Sequence, residues 1–181
     1  FNPKEFDFDL DWFHAKHDLS DSTYTSNLRY LSLNGLKSLK GSWSRFVNLQ
    51  TLNLGENLTA IEFQPDMFIR LVNLKSLDLT KSRFNDNKLP FGLFNGLVNL
   101  EKLDLSSCDL EILPDGVFAP LVRLQFLDLF NNWIVGINAN TFRGLEELRE
   151  LLFGSGCNYL SIDVFNHFKN LEKLHLTSIS E

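Results

Sequence analysis

Apolar positions recur along this chain with a long period. A leucine opens each unit at Leu28, Leu49, Leu74, Leu100, Leu124, Leu148 and Leu171, at spacings of 21, 25, 26, 24, 24 and 23 residues. Every unit begins Leu-x-x-Leu-x-Leu: Leu28-Leu31-Leu33, Leu49-Leu52-Leu54, Leu74-Leu77-Leu79, Leu100-Leu103-Leu105 and Leu124-Leu127-Leu129. The sixth reads Leu148-Leu151-Phe153, and the seventh, Leu171-Leu174-Leu176, is cut short. The period-two alternation of Leu-x-Leu predicts a short strand with both leucines on one side. One strand and a loop cannot bury that side. Stacked copies can, as a parallel ladder with rungs about 4.8 Å apart.

Polar positions keep the same register. The ninth residue of a unit is Asn57 in the second and Asn132 in the fifth. An asparagine there is expected to turn inward and hydrogen-bond the main chain of the bend. Ser82 and Cys108 hold that place in two other units, and Leu36 and Gly156 fall there in the first and sixth. The second half of the unit carries a phenylalanine, as Phe68, Phe94, Phe118, Phe142 and Phe165. Stacked, these rings predict a column behind the sheet. Too few residues remain for long helices, so loops, turns and short 3₁₀ pieces are expected there.

Taken together, Leu-x-x-Leu-x-Leu-x-x-Asn, the later leucines and the phenylalanine resemble the extracellular leucine-rich repeat, and the fourth unit fits it at every position except Cys108. The resemblance implies an α/β-type leucine-rich repeat solenoid, a horseshoe with short parallel strands on its concave face and loops and 3₁₀ turns on its convex face. Residues 28–181 form one continuous solenoid in this reading, with six full repeats and a truncated seventh. Residues 1–27 read as a divergent repeat or a partial N-terminal cap. Phe6, Phe8 and Leu10 alternate there with Asp7, Asp9 and Asp11, which predicts a strand. The first repeat is short, and the third carries extra residues in Arg83-Phe84-Asn85-Asp86-Asn87-Lys88, read as tolerated loop variation. The array stops in mid-unit at Ser180-Glu181, so the natural protein is expected to continue past Glu181.

Composition narrows the class. Hydrophobic residues make up 44% and charged residues 22%, with 35 leucines and 17 phenylalanines among 181 residues, which excludes disorder for most of the chain. No run of 18 apolar residues is present, nor a signal-peptide pattern, and the lack of an initiator Met suggests a processed chain or a fragment. The net charge of -6 argues against a nucleic-acid ligand and suits a basic protein. Two cysteines cannot build a disulfide framework. Cys108 and Cys157 lie two repeats apart, roughly 10 Å in a ladder, so both are expected to be reduced unless Cys157 pairs outside this segment.

The irregular lengths, the phenylalanine column and the absence of cysteine-rich caps look like a piece of a Toll or Toll-like receptor ectodomain. That resemblance implies a single-pass cell-surface receptor of innate immunity or development. Such a receptor binds a protein ligand, such as a dimeric Spätzle-like cystine-knot cytokine, or a microbial product, and then dimerises and signals. The alternative is a secreted or matrix interaction protein without signalling. The family's motif fixes no ligand residues, so the candidates are geometric: residues beside the inward leucines, which point out along the sheet. They are Tyr30, Gln50, Asn53, Lys75, Asp78, Lys102, Asp104, Phe126, Asp128, Phe130, Arg149, Leu152 and His175. Phe126, Phe130 and Leu152 stand out as apolar side chains on a polar face, either interface anchors or cross-strand packing.

Other chemistry finds little footing. Asp78, Asp104 and Asp128 recur at one position of three repeats, a stack that reads as solvent-facing aspartates rather than a cation site. Asp11, His14, His17 and Asp18 lack a patterned third ligand for zinc. No cofactor is implied. There is no nucleophile elbow, phosphate loop or zinc-protease helix, so no enzyme is expected. Asn57-Leu58-Thr59 is the only glycosylation sequon, and an inward-turned Asn57 excludes a glycan there.

Overall fold

The recurring leucines form one ladder in the computed structural model, which describes residues 7–9, 27–36, 38–57, 61–154 and 157–177. In chain order the strands are β1 (Asp7–Asp9), β2 (Tyr30–Ser32), β3 (Ser38–Lys40), β4 (Thr51–Asn53), β5 (Ser76–Asp78), β6 (Lys102–Asp104), β7 (Phe126–Phe130), β8 (Gly136–Ile137), β9 (Glu150–Gly154), β10 (Tyr159–Leu160) and β11 (Lys173–Thr177). Seven of them make one parallel sheet in the order β11-β9-β7-β6-β5-β4-β2. The register places Leu31, Leu52, Leu77, Leu103, Leu127, Leu151 and Leu174 in one row, so each repeat supplies one rung of a solenoid.

The core follows from that row. Leu52, Leu77, Leu103 and Leu127 are fully buried, as are the second strand leucines Leu54, Leu79, Leu105 and Leu129. Each such side chain contributes about 1.5–3 kcal/mol of transfer free energy. On the outermost rung, Leu174 and Leu176 remain 39% exposed, because no rung covers them among the described residues.

The inward polar ladder is present and accounts for the bend's main-chain groups. Asn132 is 3% exposed. Its Oδ1 accepts from the amides of Cys108 and Leu110, and its Nδ2 donates to the carbonyls of Leu105 and Leu129. Asn57 binds the Leu36 amide and the Leu33 and Leu54 carbonyls in the same way, and is buried. Ser82 Oγ donates to the Leu54 carbonyl, and Cys108 Sγ lies against the carbonyls of Leu79 and, at 3.5 Å, Ser106, fewer contacts than either asparagine makes. The residue before each ladder position, Glu56, Lys81, Ser107 or Asn131, has positive φ, which turns the chain off the strand.

Behind the sheet the aromatic column is built partly as expected. Phe94, Phe118 and Phe142 stack with centroids 5.9 and 6.0 Å apart. Phe165 does not continue the column. The 3₁₀ run Ile162–His167 ends at Phe168, whose ring lies 5.4 Å from Phe142, while Phe165 meets Phe168 edge-on. At the other end Trp43 stands 6.0 Å from Phe68. Trp43 precedes buried Phe46 by the same three residues that separate Phe68 from Leu71, so tryptophan replaces phenylalanine in the first repeat. Short 3₁₀ pieces fall at Trp43–Arg45 and Ile162–His167 in the second halves of their repeats, and a third at Asn85–Asn87 leads into the bridge between Lys88 and Ile112.

Three features depart from the repeat pattern. β1 pairs in parallel with β3 rather than with β2, so the strand read from Phe6 and Phe8 is not a rung of the large sheet. A second ladder runs beside the first: β8 pairs with β10, and Lys88 bridges to Ile112. Cys157 does not sit in the asparagine ladder's column. The register of Gly136 with Tyr159 and of Phe130 with Gly154 leaves the sixth turn one residue shorter, which puts Cys157 opposite Ile134 as a core residue. Both thiols are free and buried, and burial pushes Cys108 up to about 12, so it stays protonated. Asp11, His14, His17, Asp18 and Gly156 lie outside the described residues.

Candidate ligand-binding face

The open face of the seven-stranded sheet is a grid fixed by register. Each rung places one residue before its inward leucine and one after it. The first row runs Tyr30, Thr51, Ser76, Lys102, Phe126, Glu150 and Lys173. The second runs Ser32, Asn53, Asp78, Asp104, Asp128, Leu152 and His175. Gln50, Lys75 and Arg149 lie in a third row where the chain enters the strands, each amide bonded to the carbonyl one rung before it. Phe130, Gly154 and Thr177 form a short row beyond the second. Every candidate chosen from the sequence therefore faces this side or its border, although the thirteen do not converge on one point.

The second row is tied to the main chain. Asn53, Asp78, Asp104 and Asp128 each accept, through Oδ1, from the amide two residues on, those of Gly55, Thr80, Ser106 and Phe130. The repeated aspartate thus closes the turn that follows its strand. This gives the stack a structural reason independent of any cation.

Charges in the outer rows are mostly spent on neighbours. Lys75 pairs with Glu101 at 2.9 Å, Lys173 with Glu150 at 3.2 Å, and Arg149 with Glu172. His175 Nε2 lies 3.8 Å from Glu150 Oε1. These pairs are exposed or, at Glu150, half-buried, and add little stability. Tyr30, at the far end of the first row, is 61% exposed.

One part of the grid differs. Phe126 and Phe130 lie four residues apart on β7, with Asp128 between them and Leu152 opposite Asp128 in register. Lys102 Nζ stands 4.9 Å over the Phe126 ring. Phe130 is 46% exposed, yet its ring also packs across Gly154, where an added Cβ would come within 2.9 Å of it. Both readings of the aromatic pair are thus physically present: the rings pack on neighbouring rungs and still offer apolar surface. Asp128 is half-buried among them, and that burial raises its carboxyl above the ordinary value, with Asp104 adding to the effect. Beside Phe126 a shallow hollow of about 240 Å³ opens between Gln125, Arg149, Glu150, Glu172 and Lys173.

Known proteins match this architecture. The family described as Leucine rich repeat matches residues 87–134. The chain is a leucine-rich repeat solenoid. Its fold resembles Toll-like receptor ectodomains and their relatives. It is 33% identical to human Toll-like receptor 5 over 140 residues, covering 75% of this chain and 16% of that protein. It is 30% identical to the rat volume-regulated anion channel subunit LRRC8A over 175 residues, covering 91% of this chain and 20% of that protein. Chicken Tsukushi is 31% identical over 182 residues, covering 97% of this chain and 46% of Tsukushi. The chain therefore spans half or less of these relatives. Among solved structures, mouse RP105 in complex with MD-1 superposes with a TM-score of 0.71 at 26% identity, over 83% of this chain and 26% of that one. The TLR13 complex with ssRNA13 gives 0.64 at 31% identity, over 78% and 21%. The Drosophila Toll–Spätzle complex gives 0.60 at 22% identity, over 77% and 20%, and shares the fold.

The flank of the solenoid holds residues that the leucine pattern did not single out. Trp133 is 65% exposed there, with Val135, Ile112 and Tyr159 also exposed. The local signal was the alternation of Trp133 and Val135 around buried Ile134, too short to register against the main repeat.

Proposed function

We propose that the chain is a ligand-binding segment of a cell-surface receptor ectodomain of the Toll-like kind. Its ligand is a protein, bound on the open face of the sheet around Phe126, Asp128, Phe130 and Leu152. The observation that carries this reading is the apolar cluster on an otherwise polar, rigid face: large side chains held half-exposed by the neighbouring rungs. Affinity at such a surface comes from a few anchors rather than from total area. The likeness to ectodomains solved with MD-1 and Spätzle supports a protein ligand. The stack of Asp78, Asp104 and Asp128 favours a basic one and opposes a nucleic acid, although a TLR13 structure with ssRNA13 shares the fold. In this reading the segment is extracellular, the membrane span lies outside it, and receptor dimerisation follows binding.

A titration of the fragment, capped by a C-terminal repeat, with a processed Spätzle-like cystine-knot dimer tests the reading. Saturable binding that is lost in the Phe126→Ala, Phe130→Ala double variant supports it. Saturable binding that the double variant leaves unchanged removes the cluster from the site. No binding by a folded, monodisperse fragment removes this ligand class. The second reading, a secreted or matrix interaction protein, is favoured by the match to Tsukushi across 97% of this chain. A membrane span and cytoplasmic signalling domain in the full-length transcript would exclude it.

A further inference from the structure

The second ladder carries a surface that neither the core nor the open face uses. Its rungs set Glu111 between Asn87 and Val135, and Lys88 beside Ile112, while Gly136 pairs with Tyr159. Trp133 lies one turn of the alternation from Val135 on the same segment, its amide bonded to the Leu110 carbonyl. Trp133, Val135, Ile112 and Tyr159 are therefore near neighbours across adjacent rungs, and all four are about half exposed or more. Gly136 leaves room between them: an added Cβ would meet the Tyr159 side chain at 3.5 Å. Contiguous aromatic and branched surface of this kind marks an interaction site more often than solvent-facing filler.

The charge beside it is one-sided. A groove of about 760 Å³ adjoins Trp133, with Phe84 and Ile61 buried in its lining. Its charged lining residues are Asp86, Asp109 and Glu111 against Arg83, three negative and one positive. Glu111 receives a hydrogen bond from Asn87 at 2.8 Å, while Asp86 and Asp109 form no ion pair among the described residues. Asp86 comes from one rung and Asp109 and Glu111 from the next, and among the described residues no three such groups converge as metal ligands would.

We propose that this flank docks a basic protein segment, with an aliphatic or aromatic side chain against Trp133 and Val135 and an adjacent Arg or Lys between Asp109 and Glu111. A guanidinium there gains both carboxylates and the indole face. A phosphate-bearing ligand is repelled by the same charges. The site stands apart from the open face, so the two readings fail separately.

The test titrates the chain with an acetylated peptide of two leucines followed by four arginines, and with its glutamate counterpart, read by amide and indole chemical shifts. The arginine peptide is expected to saturate, with shifts centred on Asp109, Glu111 and Trp133. Asp109→Asn with Glu111→Gln should weaken it by about tenfold, the scale expected when two exposed charge pairs are removed together. Asn tolerates the positive φ of Asp109, so that variant keeps the backbone. Trp133→Ala should weaken it as well, and Phe126→Ala with Phe130→Ala should leave it unchanged. Unaltered affinity in the double carboxylate variant, equal binding of the glutamate peptide, or shifts centred on Asp78, Asp104 and Asp128 would each overturn the proposal.

Discussion

Replacing Asn132 by alanine should be among the costliest single-residue polar changes in this chain. Its amide serves five main-chain groups: the N–H of Cys108 at 3.0 Å and of Leu110 at 3.1 Å, the carbonyls of Leu105 and Leu129, both at 2.9 Å, and more distantly that of Phe130 at 3.4 Å. Alanine leaves all five without that partner. Carbonyls tolerate under-satisfaction better than N–H groups do, so the two orphaned donors set the estimate. At about 1–3 kcal/mol for each buried unsatisfied group, the loss is about 2–6 kcal/mol. Cys108→Ala at the equivalent place removes one weak thiol donor, 3.1 Å from the Leu79 carbonyl, and should cost about 1 kcal/mol. Urea unfolding followed by far-UV circular dichroism measures the two variants. Hydrogen exchange localises the effect, because the amides of Cys108 and Leu110 should lose protection in Asn132→Ala before those of Leu103 or Leu127. Asn132→Ala no more destabilised than Cys108→Ala would refute the idea that the ladder asparagine works by satisfying the bend.

Three further outcomes follow from the same geometry. Leu127→Ala, fully buried at the middle of the ladder, should lose about 2–5 kcal/mol in the same unfolding assay. Gly96→Ala should destabilise far more than Gly116→Ala: both have positive φ, but a Cβ at Gly96 would lie 2.3 Å from the Ile69 carbonyl oxygen, while one at Gly116 meets nothing within 4 Å. Paired thermal melts decide that comparison. Asp128→Asn keeps an oxygen for the Phe130 amide and removes a carboxyl whose folded value is raised by burial. Ionising such a group costs the folded state more than the unfolded one, so this cost is absent below the ordinary value of 3.8 and fully present above the raised one. The variant should therefore be at least as stable as the parent at pH 7, with the difference closing as pH falls through that window, and melts at pH 7 and pH 3 check it.

The ladder was readable because its signal is local and repeated. A leucine at Leu77 needs only Leu79 two residues on to declare a strand face, and seven copies fix the stacking. Asn57 and Asn132 were readable because they recur at one fixed place after the strand leucines. The departures arise where a residue's fate depends on its neighbour one rung away. Nothing within Gly154-Ser155-Gly156-Cys157 tells that the sixth turn is one residue shorter. That appears only when Phe130 pairs with Gly154 and Gly136 with Tyr159, which moves Cys157 into the place of Ile134. The partner of β1 is likewise set by a contact with Ser38–Lys40 some thirty residues on, beyond any local pattern.

The candidate site shows the same limit from the other side. The repeat constrains Leu103 or Leu127 so tightly that every rung must supply an equivalent, and these positions cannot distinguish one rung from another. The row Tyr30, Thr51, Ser76, Lys102, Phe126, Glu150, Lys173 has no such constraint, so its variation is free to encode recognition. Residue type alone left Phe126 and Phe130 undecided between packing and binding. Register resolves why: Gly154 lies opposite Phe130 and makes room for its ring, Lys102 lies opposite Phe126 and covers part of it, and Leu152 lies opposite Asp128. The same cross-rung contacts that pack the rings also hold them in place. An anchor already held in one conformation has less entropy to lose when a partner covers its exposed half. Packing and binding are thus compatible roles for this pair, and the double alanine variant is the test that separates them: the binding reading expects lower affinity with the fold intact.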